Sequence, residues 1–359
     1  MFGAIMGVLS ILFHSFVDFN LHMPANALYF TVLCAIISGI SSSGRQGKLS
    51  DIRGQTSAKY ISVISNNLRN PQLNYAFLNK LINAIIIAGF TVGLFGIIQW
   101  LGWNGRMFWI VDKPGKNFGP YVCYNHFAGL MEMTGFFAIA MFYSGLFLSP
   151  LRHIKRLKDK IVWFSSEQAN KTLIYLFLSV VIAGALFLSS SKGGILSFGL
   201  ALIVFMLVII NISVKGRQNK MKLSALAVFT LFVIMILWLG PENTLQRFRR
   251  FIHAVQYMYS GGKHRLLLRP YIWVDTVRMI LRFPATGTGL GTYSDMFMPF
   301  RRFPAIWGFL RYAHQDYLHL FAELGLAGAA FLAGFLVWHF RRFRECVRRL
   351  RRGAENLEK

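Results

Sequence analysis

The sequence predicts an all-α polytopic membrane protein, with about eight transmembrane helices and one long outer loop carrying surface helices. Three observations predict it. Of 359 residues, 55% are hydrophobic and only 15% charged, with a mean hydropathy of +0.46, whereas soluble domains are about a quarter charged. The apolar residues come in blocks: 81–102, 172–190, 194–213 and 223–239 each approach a membrane-spanning length with almost no charge. The basic residues gather in alternate segments between the blocks, which puts most of them on one side. This excludes a soluble enzyme, a disordered chain and a secreted disulfide scaffold. Cys34, Cys123 and Cys346 are scattered and match no metal spacing. No metal and no cofactor is expected.

The spans expected in order are 2–19, 26–42, 81–102, 122–148, 172–190, 194–213, 223–240 and 317–339. The first is short and carries His14 and Asp18, which at i and i+4 share a helix face. It lacks a basic n-region and a small-residue cleavage site, so it reads as a retained helix. Segments 43–80, 149–171, 214–222 and 340–359 then share one face and hold 24 of the 39 Lys+Arg. The positive-inside rule makes that face cytoplasmic and puts both termini inside. The net charge of +25 therefore belongs to membrane topology and lipid headgroups rather than to nucleic acid. Trp103, Trp109 and Trp338 lie near expected boundaries, as interfacial residues do.

On the opposite face, the loop 241–316 holds 11 basic and four acidic residues. A loop of that length escapes the positive-inside rule, so its charge needs another explanation: an anionic ligand, or anionic lipid. Within it, 269–283 has apolar residues at Ile272, Trp273, Val277, Ile280 and Leu281, which is helical spacing. Arg278 and Arg282 lie on the other side. A helix lying along the membrane surface is expected. Pro284 ends it, and Gly287, Gly289 and Gly291 make a flexible turn. That glycine spacing is not a dinucleotide fingerprint.

Four places bear chemistry. Lys192, in Ser189-Ser190-Ser191-Lys192-Gly193-Gly194, sits beside helix-terminal amides, where an anion can bind. A tight turn with one snorkelling cation is the plainer reading and is preferred on spacing alone. Arg269 opens the surface helix and can grip phosphate bidentately. Equally, it is a solvated cation that nothing local separates from Arg265 or Lys263. His314 lies where the long loop re-enters the membrane and suits a general base, although spacing alone favours a structural hydrogen-bonder. Beside it stand Asp316 and Glu323. Glu323 is costly in lipid and must face protein or water. Finally, Asn125, His126 and Glu132 enter one span together, lining a polar cavity or bonding between helices.

The set FGPY…NHFAG, SSSKGG, RPYIW, FPATGTGLGTY and AHQDYLHLFAELGLAG, in that order over residues 118–339, resembles the bacterial O-antigen ligase-like membrane protein family. This group's Wzy_C-type domain is shared with O-antigen polymerases and O-oligosaccharyltransferases. The resemblance implies a metal-independent, membrane-embedded glycosyltransferase of the bacterial inner membrane. Its donor is an undecaprenyl-diphosphate-linked glycan, used at the periplasmic face. The acceptor is lipid A core, another glycan or a protein. Loop 241–316 is then periplasmic.

By the same resemblance, His314 matches the family's base, Arg269 its diphosphate ligand, and Lys192 the arginine of its Ser-Arg-Gly-Gly motif. Lys192 keeps that charge but loses the bidentate fork. Gln315 stands where asparagine is usual. Cys123-Tyr124 replaces an Asn-Arg pair, leaving the diphosphate grip to be shared with Arg265 and Lys263.

The stretch from His14 to Asn26 resembles the family's ending, placed here at the beginning. That suits a permuted member, or a gene model with its ends misjoined. The domains expected are a hairpin at 1–42, a cytoplasmic linker at 43–80, the ligase-like transmembrane domain at 81–339 and a basic tail at 340–359. Two competing readings are a lipid-linked-glycan flippase or transporter, and an inactive shortened member. A flippase would carry its key cations within spans rather than at the outer boundary.

Overall fold

A computed structural model describes residues 1–16, 18, 21, 24–42, 71–112, 117–148, 162, 164–212, 226, 230, 234, 268–302 and 310–356. Nine α-helices follow one another among them: α1 Phe2–His14, α2 Pro24–Ser42, α3 Pro71–Leu101, α4 Tyr124–Leu148, α5 Glu167–Leu188, α6 Lys192–Ile212, α7 Leu268–Arg282, α8 Tyr293–Phe297 and α9 Asp316–Asn356. A 3₁₀ turn, Met298–Phe300, follows α8. The described residues contain no β-strand, only isolated bridges at Met107–Val111 and Phe118–Tyr121.

Among the described residues, five stretches are long and apolar enough to cross a bilayer: Ala76–Leu101, Tyr124–Leu146, Glu167–Leu188, Lys192–Ile212 and Asp316–Arg352. They coincide with five of the eight expected spans. The expected span 223–240 lies outside the described residues, apart from helical positions 226, 230 and 234. The expected span 2–19 is shorter than the sequence suggested. Its helix stops at His14 after 13 residues, a rise of about 20 Å against a hydrocarbon core of about 30 Å. The last helix runs beyond residue 339, carrying the arginine-rich tail as helix to Asn356. There Glu345 bridges Arg342 and Arg349 one turn to either side.

Helix starts follow local chemistry. Proline occupies the first position of α2 and α3, where its missing N–H costs nothing and its φ is already helical. Ser166 caps α5, its hydroxyl accepting from the Ala169 N–H at 3.2 Å. Ser191 does the same for α6, accepting from the Gly194 N–H at 3.2 Å.

The described chain forms two compact units. The first comprises Met1–Leu9 and Leu28–Ser190. In it α3, α4 and α5 pack on one another, and small residues let them approach. A Cβ at Gly89 would collide with Thr134, and one at Gly145 with Thr172. Lipid offers no hydrophobic drive between helices, so close packing and polar links carry the association. One such link is the Tyr175 hydroxyl on α5, which donates to Asn83 Oδ1 of α3 at 2.7 Å. The FGPY turn closes the end of this bundle, with Phe118 packed on Phe127 of α4 at 4.8 Å between ring centroids.

The second unit comprises Ser10–Ala27 and Ser191–Lys359. Its described core is Ile272, Met279, Tyr293, Phe297, Ala313 and Ala322, which joins α7, α8 and the first turns of α9. Helix α7 was expected to lie along the membrane surface. It buries Ile272, Asp275, Thr276 and Met279, while Val277 and Leu281 are exposed. The inward polar groups are satisfied. Asp275 accepts from Arg278 Nη1 at 2.6 Å and from the Arg302 N–H at 3.1 Å, and the Thr276 and Tyr293 hydroxyls share a hydrogen bond of 2.7 Å. Outward apolar and inward polar residues suit a helix whose outer face meets lipid rather than water.

The glycine turn is not the flexible connector that its composition suggests. The Thr288 N–H donates to the Ala322 carbonyl at 3.0 Å, and the Gly289 N–H to the Glu323 carbonyl at 2.9 Å. The Leu326 N–H returns to the Pro284 carbonyl at 3.1 Å. These bonds are available because α9 is broken at Gly325 (φ 54°, ψ −137°). The break frees carbonyls that an unbroken helix would satisfy internally, and the turn takes them up.

Candidate active site

His314 sits in the bend just before α9, with φ at +54°. A non-glycine residue in the left-handed region costs on the order of 1 kcal/mol, so the neighbours must hold it there. On the downstream side, Gln315 caps α9. Its Oε1 accepts from the Leu318 N–H at 2.5 Å and its carbonyl from the His319 N–H at 3.1 Å. Glutamine therefore performs the capping that the family's asparagine is suited for. The Asp316 N–H donates to the Ser15 carbonyl at 3.1 Å. On the upstream side, the Ala313 N–H donates to His319 Nδ1 at 3.3 Å.

His319 is part of a buried polar cluster. Its Nε2 lies 3.3 Å from Glu323 Oε1, and its ring lies against Tyr293 with centroids 4.6 Å apart. Glu323 also accepts from the Tyr293 N–H at 3.2 Å and from the backbone of Gly291. The glutamate is 5% exposed and faces protein, as its cost in lipid requires. Burial pushes the Tyr293 phenol well above its ordinary range, so it stays neutral and serves as a donor or acceptor toward Thr276.

Arg269 lies in the first turn of α7. Its Nη2 is 3.3 Å from Asp18 Oδ2, and Asp18 is 1% exposed while the arginine side chain is 41% exposed. The sequence paired Asp18 with His14 on one helix face, but α1 ends at His14 and Asp18 falls beyond it. The Asp18 N–H donates to the His14 carbonyl at 3.1 Å, and the Asp18 carboxylate meets Arg269.

The same N-terminal segment braces the start of α9. The Tyr317 hydroxyl donates to the Leu12 carbonyl at 2.6 Å, and its ring meets Phe16 edge-on at 4.5 Å. The Leu21 N–H donates to Asp316 Oδ2 at 3.3 Å. Asp316 is thus occupied in tying the N-terminal segment to the residue pair beside His314.

Lys192 is the first residue of α6 and is exposed. Ser190 before it has φ +56°, and Ser191 takes one of the helix-start amides. Lys192, Arg269, His314, Asp316 and Glu323 all fall in the second unit. Asn125, His126 and Glu132 fall in the first, buried on α4. Arg265 and Lys263 lie outside the described residues. No cluster of three or more potential metal ligands occurs among the described residues.

Sequence reasoning missed His319, Tyr293 and Thr276. His319 and Glu323 stand at i and i+4, the spacing of one helix face, and two ionisable groups so placed in an apolar span were the available signal. The links from Asp18 to Arg269 and from Ser15 to Asp316 join distant parts of the chain and had no local signal.

These features define a multi-pass α-helical membrane protein whose second unit holds a buried His319–Glu323–Tyr293 cluster near the start of α9 and an ion pair between Arg269 and Asp18. Residues 177–333 match the family model described as O-Antigen ligase, so that stretch is similar to the O-antigen ligase family. The match takes in Lys192, Arg269 and His314; the FGPY…NHFAG and His14–Asn26 stretches lie outside it. No curated protein and no solved structure matches the chain. The match points to surface polysaccharide biosynthesis and to glycosyl transfer.

Proposed function

We propose that the protein transfers or polymerises a glycan from an undecaprenyl-diphosphate-linked donor at the periplasmic face of the inner membrane, as an O-antigen ligase or polymerase does. What supports the reading most is that Lys192, Arg269 and His314 fall together within the O-antigen ligase match and within one compact unit. The acceptor is lipid A core, a lipid-linked glycan or a protein.

The chemistry follows from the side chains, without a metal ion. His314 accepts the proton of the acceptor hydroxyl as its oxygen attacks the anomeric carbon. The bond from that carbon to the phosphate oxygen breaks, and undecaprenyl diphosphate departs with the electron pair. Attack opposite the leaving group inverts the anomeric centre. Arg269 and Lys192 stabilise the charge that develops on the diphosphate. Arg265 is a further cation for the diphosphate in this reading, and Asn125, His126 and Glu132 are polar groups of the first unit.

The test is turnover. Purified full-length protein is given an undecaprenyl-diphosphate-linked oligosaccharide, with lipid A core and the lipid-linked glycan itself offered as acceptors, and released undecaprenyl diphosphate is measured. The parent should release it and His314→Ala should not, a loss of about a hundred- to ten-thousandfold. His314→Ala at the parent rate would end the assignment of the base. Cysteine labelling in intact cells checks the side: a probe at Gly261 should react from outside and one at Gly216 should not. The reverse pattern would put His314 in the cytoplasm and sink the periplasmic reading.

A further inference from the structure

We infer that His319 and Glu323 are positioning residues for His314, acting through the backbone amide of Ala313; the inference rests on His314 being the base. A backbone N–H can only donate, so the Ala313 amide, 3.3 Å from His319 Nδ1, requires that nitrogen to be the acceptor. The proton of the neutral ring then sits on Nε2, which lies 3.3 Å from Glu323 Oε1. The carboxylate thus fixes both the tautomer and the orientation of His319, as carboxylates do for oriented imidazoles elsewhere. Tyr293 holds the ring from its face and also fixes the carboxylate, to which its N–H donates.

This arrangement ends on the residue immediately before His314. His314 has a left-handed backbone, a conformation that persists only where the surroundings over-determine it. Its downstream neighbour is held by the Gln315 cap. Its upstream neighbour, fully buried Ala313, is held by His319. With both flanking residues fixed, the peptide carrying His314 has one place to go, and its imidazole one region to reach. Release of the upstream anchor lets the bend relax toward an ordinary backbone and swings the imidazole away. The glycine turn contributes as well, because the Gly289 N–H holds the Glu323 carbonyl.

The experiment uses the full-length protein in lipid nanodiscs, with an undecaprenyl-diphosphate-linked oligosaccharide as donor and both lipid A core and the lipid-linked glycan as acceptors. His319→Phe keeps the ring against Tyr293 and removes the acceptor. Expected is a fall in kcat of about ten- to a hundredfold, the scale of an ångström-sized misplacement, with the donor KM within about twofold of the parent. His319→Asn places an amide oxygen near the former Nδ1 and should recover kcat to within about fivefold. On a His314→Ala background, His319→Phe should cost nothing further, because it acts only through His314.

The two readings fail differently. A parent that releases no undecaprenyl diphosphate, or His314→Ala at the parent rate, removes the base and the positioning role together. An inactive His314→Ala beside a His319→Phe that keeps parent kcat, or that changes only donor KM, overturns the positioning role alone. Should His319→Phe fail to give a monodisperse protein, Glu323→Ala and Glu323→Gln carry the test. The first releases the His319 ring and should lose kcat at parent KM. The second still accepts from Nε2 and should regain it; equal kcat in the two overturns the inference.

Discussion

The glycine turn lends itself to a graded prediction, because the structure separates conformational from steric cost. Gly287 has φ +65°, and a Cβ there would run into the backbone carbonyl of Glu323 and the amide of Gly325. These are main-chain atoms at a helix break and cannot swing aside. Gly291 has φ +79° but nothing within 4 Å of the Cβ position, and Gly184 in α5 has neither a positive φ nor a neighbour within 4 Å. Gly287→Ala should lose about 1 kcal/mol for the left-handed backbone and a further 1–3 kcal/mol or so for forcing packed backbone apart. Gly291→Ala should lose about the first amount alone. Gly184→Ala should be neutral or gain up to about 1 kcal/mol of helix propensity. The assay is the apparent melting temperature of purified protein in one detergent, with Gly287→Ala expected on the order of 3–5 °C below the parent. Transfer by Gly287→Ala should fall further than stability alone accounts for, because the turn fixes the Glu323 carbonyl. If Gly287→Ala melts no lower than Gly291→Ala, the close fit between turn and helix break is wrong.

Three further outcomes are expected. Arg269→Ala should destabilise by about 3 kcal/mol, since it withdraws a cation from a buried carboxylate, whereas Asp18→Asn should cost only about 1 kcal/mol because water reaches the arginine; the reverse order in melting temperature would show that the pair does not link the N-terminal segment to α7. Gln315→Ala should cost about 0.5–2 kcal/mol as a lost cap, and Gln315→Asn should match the parent, both read from thermal melts. Acidification should reduce transfer, because a protonated His314 cannot take the acceptor's proton; an undiminished rate of undecaprenyl diphosphate release on the acid side of neutrality would contradict the assignment.

Much of the transmembrane architecture was legible because burial in lipid imposes a one-dimensional signal. Every backbone group must be satisfied within its own helix, so a run such as 194–213 declares itself without reference to the rest of the chain. The surface helix was legible too: its stop at Arg282 follows from Pro284. Its buried face was not, because the usual rule that apolar residues point inward presumes water outside. Beside lipid, Val277 and Leu281 can point outward while Asp275 and Thr276 turn in to partners, and no periodicity distinguishes the two cases. The glycine turn was misread for a related reason. Glycine signals freedom from steric limits, and that freedom serves mobility in one setting and close approach in another; only the break at Gly325 decides which.

The N-terminal segment shows what linear order conceals. Residues 10–27 belong to the same compact unit as the chain from Ser191 onward, and they supply three kinds of contact to it: the Asp18 carboxylate to Arg269, the Ser15 carbonyl to the first residue of α9, and the Phe16 ring to Tyr317. Packing depends on position in the fold and not on order of synthesis, and closing a longer loop costs only about 0.6 kcal/mol per doubling of its length. The contacts of Asp18 and Ser15 therefore tie residues 10–27 to Arg269 and to Asp316, two residues beyond His314.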